Sequence, residues 1–378
     1  MTSEVPAGQT PQFVNVGDNS ARVFGMAADE RARALAVKAG LDPVETPDAG
    51  RSTVYADLGW AWDPAWLASL AGTPGKYLAK DGHPVIAHVP AGGDASGVLT
   101  AMREAARYEG SELAVVDADS TDLSYAQLRK RDRPFVLRLD PADPDPVERA
   151  AYDASYKGVT DALTLYLWRR PAFYLTRWAA RAGVSPNFVT AIGAVLCVAA
   201  FFLFMGGHYW SGVLAGFGFM VLDTVDGKLA RCTGQSSHWG NIFDHGIDLV
   251  HPPFWWWAWA AGLKASGMAF ERVYELLVVG AIVSGYIAQR VIEGIFMRRF
   301  GMHIHVWRPI DSRFRLITAR RNPNMVILVA SLIVGRPDLG IELVALWTIL
   351  SLIFHAVRLA QANGRRDRGR PVTSWLAG

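Results

Sequence analysis

The chain has 378 residues, 51% of them apolar and 19% charged, with 38 basic and 35 acidic side chains and two cysteines. A net charge of +3 is too small to point to nucleic acid, and the lone Cys197 and Cys232 exclude a disulfide framework and a cysteine-based zinc site. The length allows two domains, and the mean hydropathy of +0.14 averages two unlike halves.

Residues 1–150 have ordinary water-soluble composition. Candidate strands at 21–27, 52–62, 84–89, 112–118 and 134–139 alternate with helical patterns at 28–40, 63–72 and 97–110. This alternation predicts an N-terminal cytoplasmic α/β domain with a largely parallel sheet. No glycine-rich phosphate loop of standard spacing occurs here. Asp117 and Asp119 end a strand, as a solvated turn or as metal ligands. The N-terminus lacks the pattern of a secretory signal, so this domain is expected to stay in the cytoplasm.

Residues 151–186 mix Trp, Tyr, Leu and Phe with Lys157, Arg169, Arg170, Arg177 and Arg181. They read as an amphipathic helix and linker in the headgroup layer, or as an ordinary helix packed on the first domain.

Six windows then approach the roughly 20 apolar residues that a membrane span needs: 187–206, 210–231, 240–262, 273–293, 323–336 and 339–360. They predict an all-α bundle of six transmembrane helices over 187–362, followed by a basic tail at 363–378. Arg298, Arg299, Arg308, Arg313, Arg315, Arg320 and Arg321 lie between the fourth and fifth windows, and Arg365, Arg366, Arg368 and Arg370 follow the sixth. The other connections carry only Lys264, Arg272 and Arg336. That bias places both termini in the cytoplasm of a multi-pass inner-membrane protein.

The third window holds "HPPFWWWAW" (His251 to Trp259), whose prolines can kink a helix and whose tryptophans line a lateral opening or face lipid. His251 is read as structural. Just before it, "LDTVDGKLARCTGQSSHWGNIFDHGIDLV" puts four aspartates into apolar surroundings. On a helix, Asp223, Asp226, Gly227, Ala230 and Arg231 share one face, as do Gly240, Asp244 and Asp248 on the next. Two antiparallel helices can therefore aim four carboxylates at one point. An ionised carboxylate costs at least about 2.5 kcal/mol within a span, and four together repel, so a cation is required. Oxygen ligands without His or Cys suit magnesium or manganese. Two such ions at about 3.5–4 Å can clamp the attacking and leaving oxygens of a phosphoryl transfer. Gly227 and Ala230 leave room for a diphosphate, and Arg231 offers a planar fork to its oxygens.

The pattern D-x2-D-G-x2-A-R-x8-G-x3-D-x3-D is met by Asp223, Asp226, Gly227, Ala230, Arg231, Gly240, Asp244 and Asp248. With "SPNFVT" at 185–190, it resembles the CDP-alcohol phosphotransferase family over about residues 150–360. The resemblance implies transfer of a substituted phosphate from a CDP-alcohol, CDP-diacylglycerol or a similar donor, to the hydroxyl of a second alcohol, with release of CMP. It implies that Asp223, Asp226 and Asp244 hold one ion, that Asp244 and Asp248 reach a second, and that Asp248 is the catalytic base. Gly227, Ala230, Arg231 and Ser237 would contact the CDP part, with Asn187 and Thr190 closing over it. A homodimer in the lipid bilayer is also implied.

Arg290, Arg320 and Arg321, with Lys157, are candidate ligands of a phosphorylated acceptor such as an inositol phosphate or glycerol phosphate, although orientation bias alone also places arginines there. The first domain resembles nucleotidyltransferases in strand and helix order but lacks their glycine-rich loop, so a binding or regulatory role is expected of it. Two other readings compete with the transferase: a non-catalytic membrane scaffold and an ion-coupled transporter. Retention of all eight motif positions disfavours the scaffold, and acids clustered at one membrane face disfavour the transporter.

Overall fold

The computed structural model describes residues 10–125, 130–235 and 238–377, with the side chains of 124–132 and 236–245 outside the description. The N-terminal region runs β1 (Gln12–Val16), β2 (Arg22–Val23), β3 (Met26–Ala27), α1 (Ala28–Lys38), β4 (Asp42–Pro43), β5 (Thr53–Asp57), β6 (Trp60–Trp62) and α2 (Pro64–Ala71). It continues with β7 (Lys76–Lys80), β8 (His83–Val89), α3 (Ser96–Arg103), β9 (Ala114–Asp117), β10 (Leu123–Tyr125), β11 (Lys130–Asp132) and β12 (Val136–Arg138). Six strands form one sheet in the order β4-β1-β5-β8-β7-β9. Every residue of β5 is buried, as expected of a central strand covered on both faces.

Five of its six strands run in one direction, so the sheet is largely parallel as expected, with β8 reversed and β7 pairing parallel with β9. β1 pairs parallel with β4 and β5, whereas β8 runs antiparallel to both β5 and β7. The cause is local. Asp81 and Gly82, at φ +53° and +83°, join β7 to β8, and an Asp-Gly pair with two positive φ values makes the hairpin turn that sends the chain straight back. Asp117 and Asp119 form a capped turn: the Asp119 N–H donates to Asp117 Oδ1 at 3.0 Å, and Lys80 pairs with Asp119 at 2.5 Å.

The helical half comprises α4 (Asp145–Ala154), a π-helical turn (Leu163–Leu167), α5 (Arg169–Arg181), α6 (Pro186–Met205), α7 (Tyr209–Cys232) and α8 (His238–Gly262). There follow α9 (Arg272–Phe300), α10 (Pro309–Arg315), α11 (Arg321–Ile333) and α12 (Pro337–Asp367). Among the described residues, α6, α9 and α12 are long and apolar enough to cross a membrane, with mean hydropathies of 2.6, 1.5 and 1.9. Their outer faces carry exposed Val195, Phe202, Leu277, Ile287, Leu346 and Ile353, a distribution suited to lipid. α6 begins at Ser185, whose side chain accepts the Phe188 N–H at 3.2 Å, with Pro186 at the first helical position. The ends of α6 and α8 nearly touch: a Cβ on Gly262 would overlap the Phe204 carbonyl oxygen.

The tryptophans of α8 depart from expectation, whereas residues 151–186 run from the end of α4 through a linker and the π turn into α5. Tyr166, Leu167, Tyr174 and Trp178 are exposed, while Ala172, Phe173, Thr176 and Ala179 are buried, so an amphipathic character persists. Trp255, Trp256 and Trp259 belong to the bundle core, and Trp257 is the exposed one. Trp255 and Trp259 bury their rings because each indole N–H finds an acceptor at 3.0 Å, the carbonyls of Cys197 and Pro337 respectively. His251 is structural, with Nδ1 2.7 Å from the Ile247 carbonyl and its ring edge-on to Phe219.

The two halves share one core. Ala21, Val23, Phe24 and Ala28 pack with Tyr152, Tyr156, Ala172 and Phe173, and with Val225, Leu229 and Cys232 of α7. Glu148, fully buried, locks this junction. It accepts the Phe24 N–H at 2.7 Å and pairs with Arg177 at 2.7 Å and Arg181 at 3.3 Å. Gly25, at φ +79°, passes so close to α5 that a Cβ would lie 3.2 Å from the Ala180 carbonyl oxygen.

Candidate active site at the ends of the central helices

A cavity of about 420 Å³ opens where α7, α8, α9 and α11 come together, closed on one side by residues 156–164 and on another by residues 303–315. Among the described residues, seven cationic side chains line it, Lys157, Lys228, Arg231, Arg290, Arg315, Arg320 and Arg321, and four acids face them, Asp161, Asp223, Asp248 and Glu293. A surplus of guanidinium groups in a partly enclosed cleft suits an anionic ligand with planar oxygen pairs.

Asp223 on α7 and Asp248 on α8 converge. The Arg321 guanidinium reaches both, Nη2 to Asp223 Oδ2 and Nη1 to Asp248 Oδ1, each at 2.7 Å. Two carboxylates within reach of a single cationic group, and oxygen donors only, fit a magnesium or manganese ion. Asp226, one turn from Asp223, is buried and turned toward α6, accepting the Thr190 hydroxyl at 2.6 Å and the Gly227 N–H at 2.5 Å. Thr190 is therefore fixed to the aspartate face from α6. Gly227 leaves space that Arg231 uses: a Cβ there would sit 3.1 Å from Arg231 Nη2.

Of the residues expected from sequence, Lys157, Asp223, Gly227, Arg231, Asp248, Arg290, Arg320 and Arg321 line the cavity. Asn187 is exposed at the start of α6 and Ala230 is half-buried beside Arg231, neither of them on the cavity wall. Ser237 and the Asp244 side chain lie outside the described residues.

Sequence reasoning missed Asp161 and Glu293. Asp161 accepts from Asn322 Nδ2 at 2.8 Å, the Thr164 N–H at 3.0 Å and the Thr164 hydroxyl at 2.9 Å. Burial alone would raise its carboxyl pKa, but the Arg315 charge and these hydrogen bonds hold it below the ordinary value. Glu293 on α9 gathers the arginines: Arg320 Nη2 lies 2.6 Å from both its oxygens and Arg290 Nη2 2.7 Å from Oε1. Both acids stand alone in their stretches of sequence, so no spacing announced them.

Glu293, His305 and His355 also place potential ligand atoms within 4.8 Å of one another, an arrangement able to hold a metal ion. Burial pushes the pKa of His305 well below its ordinary value, although the neighbouring Glu293 works the other way. The Glu293 oxygens, however, already serve two guanidinium groups, and that local positive field opposes an added cation. Asp223 and Asp248 offer the better place for one.

An apolar helical bundle with paired carboxylates and an arginine-rich cleft at one end has the chemistry to take a phosphorylated ligand. More specifically, residues 183–318 match the CDP-alcohol phosphatidyltransferase family. A phosphatidylinositol phosphate synthase of Mycobacteroides abscessus is 32% identical over 143 residues, covering 28% of this chain and 65% of that protein. An archaetidylinositol phosphate synthase of Pyrococcus horikoshii is 24% identical over 203 residues, 53% of this chain and 95% of that protein. A cholinephosphotransferase 1 of Xenopus laevis is 30% identical over 115 residues, 28% of this chain and 27% of that protein. The match thus spans less than two thirds of the first and last of these relatives.

Proposed function

We propose that the chain is a membrane transferase that moves a substituted phosphate from a CDP-alcohol to the hydroxyl of a second alcohol, releasing CMP. The observation that carries this reading is the convergence of Asp223 and Asp248, 2.7 Å from a shared cation, in a cleft also lined by Gly227 and Arg231. In the reaction, the acceptor oxygen bonds to the phosphorus that bears the donor's alcohol, and the bond from that phosphorus to the CMP oxygen breaks. Asp248, half-exposed at the cavity, takes the acceptor's proton. Arg231 orients the diphosphate. Magnesium or manganese, as two ions on Asp223, Asp226, Asp244 and Asp248, would neutralise phosphate charge when bound.

The surplus of cations favours an anionic acceptor, such as an inositol phosphate or glycerol phosphate, taken by Arg290, Arg320 and Lys157. It disfavours a cationic head group. The donor fitting this reading is CDP-diacylglycerol or a similar lipid. We further propose the division into residues 1–150, 151–186, 187–362 and 363–378, six spans through α6, α7, α8, α9, α11 and α12, an interfacial α5, both termini in the cytoplasm of an inner-membrane protein, and a homodimer. The arginines between α9 and α11 and after α12 support that orientation.

The test uses the purified full chain with magnesium, CDP-diacylglycerol and a panel of phosphorylated and neutral polyols. CMP release is expected with a phosphorylated acceptor, and Asp248→Asn is expected to abolish it while leaving CDP-alcohol binding. Release by Asp248→Asn at the parent rate would remove Asp248 as the base.

A further inference from the structure

Arg321 stands at the first turn of α11 and is tied on every side. Besides its two carboxylates, Nε donates to Asn322 Oδ1 at 3.1 Å and the guanidinium lies 4.8 Å from the Phe219 ring centre. The fork reaches across α7 and α8 and joins two acids that would otherwise repel. One positive charge between two carboxylates leaves the group at a net −1, whereas a divalent ion in the same place brings it to zero. The exchange is therefore favoured electrostatically once the guanidinium finds another anion, and the cavity it borders is lined for one.

We propose that Arg321 is an internal stand-in for the divalent ion: it holds Asp223 and Asp248 together without metal and is displaced when metal binds. This rests on the reading of those aspartates as metal ligands. Arg321 is thus a positioning residue for the ion before it is a ligand of any phosphate. Because metal and guanidinium compete for the same oxygens, a phosphorylated ligand that accepts the released guanidinium must tighten metal binding, and metal must tighten that ligand by the same factor.

The experiment measures manganese binding to the full chain in detergent by electron paramagnetic resonance, without donor or acceptor. Arg321→Ala is expected to bind manganese about tenfold or more tightly than the parent, and adding inorganic phosphate to tighten binding only in the parent. Arg321→Lys keeps the charge but cannot fork to both acids, and should fall between. In the unaltered protein, phenylglyoxal labelling of Arg321, read by mass spectrometry, should rise when manganese is added. Equal or weaker manganese binding by Arg321→Ala, or labelling indifferent to manganese, overturns the stand-in while leaving the metal reading intact. No manganese bound by either protein overturns both.

Discussion

Replacing Glu148 by alanine tests the junction between the two halves. The carboxylate is fully buried, accepts the Phe24 N–H at 2.7 Å and faces Arg177 and Arg181. Removing one partner of a buried ion pair costs about 3–5 kcal/mol, because the remaining charge stays behind uncompensated. Here the lower end applies: Arg177 keeps Asp145, and Arg181 is half-exposed and can turn to water. About 3 kcal/mol is therefore expected for Glu148→Ala. Glu148→Gln keeps an acceptor for the Phe24 N–H and should lose less, about 1–2 kcal/mol. The direct assay is amide hydrogen exchange at Phe24 and along α5. A loss of about 3 kcal/mol corresponds to roughly a hundredfold fall in protection. Protection at Phe24 unchanged in the alanine variant would refute the reasoning that this pair fastens the N-terminal region to the bundle.

Asp161 has a folded pKa below its ordinary 3.8. Its contribution to stability is therefore complete above the unfolded value and is lost as pH falls through the lower folded one. The thermal midpoint of Asp161→Asn should lie below the parent's at neutral pH, and the two should converge in acid; a constant gap would contradict the assignment. Gly227→Ala gains up to about 1 kcal/mol of helix propensity but pushes on Arg231, so thermal stability should hold or rise while KM for the CDP-alcohol increases. Glu293→Ala removes the acid that Arg290 and Arg320 share; steady-state kinetics should show a KM for a phosphorylated acceptor raised about tenfold, with kcat changed less.

Much of this was legible because membrane helices and metal-binding carboxylates both leave local signals. The apolar windows correspond to α6, α9 and α12, and fixed spacing alone singles out Asp223 and Asp248. Features assembled from distant segments left no such trace. Asp161 meets Asn322 across 161 positions, and Arg321 meets Asp223 across 98. The reversal of one strand, β8, was missed for a different reason. Lys80-Asp81-Gly82-His83 carries the Asp-Gly signal of a tight hairpin, but β7 was not recognised as a strand, so the signal had nothing to join. The tryptophans of α8 were placed outward by their position in an apolar run; hydropathy cannot distinguish a lipid-facing indole from one held by a carbonyl.

The core common to Phe24, Phe173 and Leu229 bears on how this polypeptide can be cut. Severing it near residue 150 would bare an oily flank on the very rod that presents Asp223 and Asp226, close to where they sit. Neither fragment would be a finished object: one would lack its floor, the other its wall. Shuffling the front portion onto a different bundle would therefore demand matching surfaces as well as a compatible tether.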